Sequence, residues 1–235
     1  MEIPTLIYCG GGNRTFAEIA ISAGFKYGVR LPGTAYAPIY FADQDWKHPN
    51  RAAYMTALAK HTPFMASVLD WERQEQLPEV LSWAEEAAQF CEVVVIIPKV
   101  HGGVSQLPRS IGGKQIRLGY SVPTKHGGTS LMISEFYGWP VHLLGGSPHE
   151  QVYIWRYLPG VVSADGNMAM KMATMFCAYY DYNYRNGKRT HWPTISGVDG
   201  HKWTGDNAPA EALRRSLTNI KQLWLSVTQS NTART

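Results

Sequence analysis

Three cysteines, at positions 9, 91 and 177 of 235 residues, are too few and too scattered for a disulfide framework or a metal-binding cluster. A cytoplasmic, reducing compartment is the expectation. No apolar run approaches the ~20 residues that cross a bilayer, so no membrane span is expected. The start, MEIPTLIYCGGG, has no basic leader before a long apolar segment, and a signal peptide is not expected either. Internal repeats and low-complexity tracts are missing. So are HExxH and HxH pairs, a GxSxG elbow, a Walker loop (GGKQ at 112–115 has the wrong spacing) and a dinucleotide fingerprint. These absences argue against zinc hydrolases, serine hydrolases and nucleotide-cofactor enzymes, and no metal or cofactor is expected. His142, inside an apolar run, reads as a hydrogen-bonded core residue.

Charge of neither sign dominates. There are 22 Lys and Arg against 18 Asp and Glu, a net charge of +4 with His neutral. That suits an anionic partner without requiring one. Aromatics are plentiful, with 13 Tyr and 8 Trp, enough for stacking surfaces as well as a core.

Eight strand-length apolar runs recur, at 6–9, 27–31, 39–43, 64–70, 93–99, 116–122, 141–146 and 160–165. Several are apolar on both faces, as in a covered parallel sheet. Helical segments are predicted between them at 14–24, 50–61, 78–90, 128–137, 148–157 and 168–184. Strands alternating with helices build right-handed βαβ units, and eight of them in this length predict an α/β fold, a (β/α)8 TIM-like barrel. An open doubly wound sheet is the alternative. The barrel is predicted over 1–184. A C-terminal loop and helix packed on it follow at 185–227, with Leu213, Leu217, Ile220, Leu223 and Trp224 as the buried stripe, and a flexible tail at 228–235.

In such a barrel the working residues sit at the C-terminal strand ends. Three acids fall there: Asp43 in YFADQDW, Asp70 in SVLDWE and Asp165 in SADGN. Each alone could be a helix cap or turn acid; three would converge on one mouth. Asp45 competes with Asp43 for the same role. Glycine clusters follow four strands, including Gly145-Gly146, where the backbone can approach a ligand. The loop YRNGKRTHWPTISGVDGHKW combines Arg185, Lys188, Arg189 and Lys202 with Trp192 and Trp203. Cations of this kind meet phosphates and aromatics stack on bases, so it is the candidate nucleic-acid surface.

The order of these motifs resembles the queuine tRNA-guanine transglycosylase superfamily. VHLLGGSPHEQVYIWRYLPGVVSADGNMA looks like the end of that barrel, where a glycine turn and helix precede a strand that ends in the nucleophilic Asp. The resemblance makes Asp165 the nucleophile, Asp70 the acid that binds the incoming deazaguanine, and Asp43 the acid of proton transfer. It places Lys99, Gly119, Gly145 and Gly146 near the base, with Trp71, Tyr120 or Trp46 to sandwich it. The family's zinc-binding cysteines, its SGGF motif and an appended RNA-binding domain are absent, which points to the small relatives, phage-encoded ones included, that put 7-deazaguanines such as preQ0 into DNA.

The implied activity is that of a transferase, a pentosyltransferase that exchanges guanine in nucleic acid, DNA before tRNA, for a free 7-deazaguanine base. The implied partners are that nucleic acid and that base, with no membrane, and a homodimer or a partner protein is compatible. Two alternatives use the same residues differently: another barrel N-glycosidase or glycoside hydrolase, and a non-catalytic nucleic-acid-binding subunit of a modification complex.

Overall fold

The computed structural model describes residues 2–11, 13–124, 127–181, 192–196 and 207–232, with side chains through residue 227. Eight parallel strands close on themselves. They are β1 (Thr5–Cys9), β2 (Lys26–Leu31), β3 (Phe41–Gln44), β4 (Met65–Ser67), β5 (Val93–Ile96), β7 (Lys114–Ser121), β8 (Val141–Leu144) and β9 (Val161–Gly166). Each pairs with the next, and β9 returns to β1 through Asp165 opposite Ile7. A two-residue strand, β6 (Ser110–Ile111), makes a small antiparallel hairpin with β7. The predicted barrel is therefore the observed fold, and the open sheet is excluded by closure.

Among the described residues, helices run over α1 (Arg14–Ser22), α2 (Arg51–His61), α3 (Leu77–Ala87), α4 (Pro148–Tyr157), α5 (Met168–Phe176) and α6 (Asn207–Thr232). Their starts are legible in local chemistry. Asn13 and Asn50 accept from backbone N–H groups three residues on, at 3.0 and 3.1 Å. At α4, Ser147 and Glu150 form a reciprocal capping box, with Pro148 in the first turn.

Three segments depart from the sequence expectation. The helix predicted at 128–137 is only a 3₁₀ turn, Ile133–Phe136. Thr129 N–H bonds to the Ser121 carbonyl, and Gly138 at φ +75 closes the turn, leaving no length for a helix. Helix α5 stops at Cys177 in the left-handed region rather than running to 184, because Tyr179 and Ile195 tie residues 177–179 to the 193–195 segment by backbone bonds. Helix α6 outruns its prediction and stays helical to Thr232, past the boundary expected at 227.

The parallel strands are buried on both faces, which divides the core in two. Ile7, Phe41, Met65, Val93, Val95 and Ile97 form an apolar plug inside the barrel. A larger core lies between strands and helices, and the expected stripe of α6 completes it, with Trp224 packed 5.1 Å from Trp155. Above this plug, the acids Asp43 and Asp165 lie at the C-terminal ends of their strands.

Candidate active site at the barrel mouth

The tip of β9 explains why a buried strand ends in an acid. Asp165 is only 9% exposed, and donors surround it. The Gly145 N–H points at its Oδ1 at 3.3 Å, from a turn after β8 whose two glycines have φ of +64 and +77. Both glycines hold a positive φ that other residues rarely adopt, and the tight turn they make carries that N–H beside the carboxylate. The Cys9 thiol at the tip of β1 also bonds to Asp165, and burial first, then the neighbouring Asp165 and Asp43, raises it well above the ordinary thiol range. It therefore stays protonated and can donate. Gln151, on α4, fixes the frame by donating to the Asp165 and Gly145 carbonyls at 2.6 and 2.7 Å.

Beneath Asp165 lies His142, with no solvent exposure. Its Nε2 is 3.3 Å from Asp165 Oδ1, although the alignment falls short of a hydrogen bond and Nε2 has no other partner among the described residues. Its Nδ1 is 2.8 Å from Ser163 Oγ. Burial pushes the imidazole below its ordinary range, against the opposing pull of Asp165, so it is neutral near pH 7. The trio of serine, histidine and aspartate looks like a nucleophilic triad but cannot act as one. Ser163 is fully buried and its oxygen accepts from Arg117 at 2.9 Å.

Asp43, at the end of β3, faces the same mouth. Ser67 donates to its Oδ1 at 3.1 Å while accepting from the Gln44 N–H at 2.8 Å. Burial, then the like charge of Asp165, raises the Asp43 carboxyl to about 7; the Ser67 bond and Arg30 only partly offset this. Asp45 instead pairs with Arg30 on the rim at 3.7 Å. Asp43 thus stands in the field of Asp165, whereas Asp45 sits with Arg30 at the rim.

A third cluster borders the mouth. Lys99, just beyond β5, bridges Asp70 at 2.7 Å and Glu72 at 3.0 Å. Desolvation works against its charge, but the two acids win and its ammonium is raised above the usual range. It is a fixed cation and not a nucleophile. Trp46 lies over this cluster, half exposed, with the Lys99 and Lys47 ammonium groups 6.0 and 5.3 Å from its ring.

Three expected contacts are corrected. Trp71 is fully buried, held by a bond from its Nε1 to the Arg73 carbonyl and covered by Gly103, so it cannot stack on a ligand at the mouth. Tyr120 points out of the barrel and packs edge-on against Phe136 at 4.9 Å. A Cβ on Gly119 would come within 2.7 Å of Ile97 and Leu144, so this glycine makes room for the apolar plug and not for a base. Gly146, where a Cβ would meet the Val122 side chain, belongs to the turn that holds Asp165. Trp46 alone of the three candidate aromatics is available. Trp192 packs edge-on to Tyr180 at 5.4 Å, and Tyr180 bonds to His149. Arg185, Lys188, Arg189, Lys202 and Trp203 lie outside the described residues.

Sequence reasoning missed Cys9, Ser67, Arg117, Ser163 and Gln151. Two left a signal: Ser163 shares a face with Asp165 by strand alternation, and Arg117 is a lone charge inside the apolar run IRLGYSV. Among the described residues no group of three His, Cys, Asp or Glu could hold a metal ion, and no helix is long and apolar enough to cross a membrane. The profile of a family of unknown function, DUF6610, matches residues 20–225, most of the barrel and the final helix. No curated protein matches the chain.

Proposed function

We propose, for a chain that belongs to the DUF6610 family of unknown function, that the barrel mouth is a glycosyl-transfer site that exchanges guanine in nucleic acid, DNA before RNA, for a 7-deazaguanine. One observation carries the reading. Two carboxylates share the mouth, and Asp43 is raised to about 7 while Asp165 sits among donors to a carboxylate. Paired acids in unlike environments divide acid and nucleophile roles between them.

In this reading a guanine nucleotide is turned out of its stack, because C1′ is closed to attack inside a duplex. An Asp165 oxygen bonds to C1′ as the C1′–N9 bond breaks. The bonding pair leaves on the guanine, which takes the Asp43 proton. The incoming deazaguanine gives its own N9 proton to Asp43, attacks C1′, and expels the Asp165 carboxylate. Two inversions give net retention and leave both acids as they began. Asp70, positioned by Lys99, accepts from the purine N–H groups, and Trp46 stacks on the base.

The test incubates purified protein with guanine-containing DNA or tRNA and isotope-labelled guanine. Label should enter one polymer with the intact protein and not with Asp165→Asn, and intact-mass analysis should find a protein–nucleic acid adduct. Release of abasic sites without label uptake would replace this reading with an N-glycosidase. Tight binding with neither would replace it with a non-catalytic subunit.

A further inference from the structure

Arg117 is an anomaly in the barrel. It is 8% exposed inside a plug of apolar side chains, and no carboxylate pairs with it among the described residues. Its Nη1 donates to Ser163 Oγ at 2.9 Å and touches Met65 Sδ at 3.5 Å, and its guanidinium also bonds to Tyr40. A buried unpaired cation is costly, so its charge needs an answer elsewhere.

The answer follows from donor and acceptor inventories. Guanidinium only donates, so one Ser163 lone pair is occupied by Arg117 and the hydroxyl proton is free to turn to His142 Nδ1, 2.8 Å away. A neutral imidazole that accepts at Nδ1 carries its proton on Nε2, the nitrogen 3.3 Å from Asp165 Oδ1. Arg117 donates to Ser163 and Ser163 to His142, which leaves the His142 Nε2–H facing the acid at the mouth. Chains of aligned hydrogen bonds polarise one another in a low-dielectric interior.

We infer that Arg117, Ser163 and His142 form a one-way donor chain that sets the Nε2–H tautomer of His142 and so positions the Asp165 carboxylate for attack. The arm that concerns attack rests on the transfer reading above; the tautomer does not. Arg117, Ser163 and His142 are positioning residues, since none reaches the reacting atoms. The same arrangement accounts for the orphaned Nε2: its remaining partner is the carboxylate, whose alignment tightens when substrate orders the mouth.

The experiment records nitrogen-15 spectra of imidazole-labelled protein without any substrate. Wild type should show His142 protonated at Nε2 and bare at Nδ1. Ser163→Ala should shift it toward the Nδ1–H form or a mixture, and Ser163→Thr, which keeps the hydroxyl, should restore the wild-type pattern. A wild-type Nδ1–H form, or a pattern unmoved in Ser163→Ala, overturns the chain whatever the activity. In the exchange assay Ser163→Ala should lower kcat about 10- to 100-fold with KM for nucleic acid little changed, as misorientation of a reacting group does. The expected tautomer without any exchange activity leaves the chain standing and counts against the transfer reading alone. Circular dichroism and melting of each variant separate misfolding from lost positioning, and Ser163→Thr keeps the test alive if the alanine variant fails to fold.

Discussion

Replacing Asp43 by Asn changes one oxygen for an amide nitrogen, keeps an acceptor for Ser67, and removes a carboxyl raised from 3.8 to about 7. An acid with a raised folded-state value binds more protons folded than unfolded. Its stabilising contribution is complete below the unfolded value and is lost as pH rises through the folded one. Between pH 5 and 8.5 that loss is about two of the roughly three units, or about 3 kcal/mol. Solvent at the partly open mouth reduces it to about 1–2 kcal/mol. Urea unfolding of both proteins at the two pH values checks this, since titrations common to both cancel in the difference. The variant should gain on wild type as pH rises. A difference that is flat, or that turns against the variant at high pH, would refute the claim that Asp43 is held protonated by burial and by Asp165.

Other perturbations test separate parts of the account. Gly160→Ala drives a Cβ onto the Trp139 carbonyl, a backbone atom that cannot swing aside, and should cost at least about 2 kcal/mol in chemical denaturation. Tyr54→Phe removes a buried hydroxyl 2.7 Å from the Ser67 carbonyl and 3.1 Å from that of Ala42, and should cost about 1–3 kcal/mol by the same assay. Trp46→Ala should leave the melting temperature within a degree or two, since the ring is half exposed, yet weaken uptake of the free base about tenfold in KM.

Much of the barrel was legible because each strand is an apolar run bounded by turn residues, and that pattern survives without knowledge of partners. The strand-end acids were legible for the same reason. What could not be read was which way a strand faces. Strands β5 and β7 are buried on both sides, so nothing in VVVI or IRLGYS marks one face as the interior. A one-residue error of parity puts Tyr120 in the mouth, when the alternation that turns Arg117 and Gly119 inward turns Tyr120 out. The same uncertainty hid the donor chain, whose members lie on three strands and meet only when the barrel closes. Helix lengths failed where tertiary bonds compete with the helix, as Tyr179 shows by bonding to Pro193.

The most direct test is nucleoside mass spectrometry of DNA and tRNA from cells that express this chain with a supply of preQ0, beside cells expressing Asp165→Ala. The account expects a 7-deazaguanosine in one pool, DNA first, and only with the intact protein. The same nucleoside with Asp165→Ala, or none in either pool while the purified protein is folded and binds nucleic acid, would contradict it.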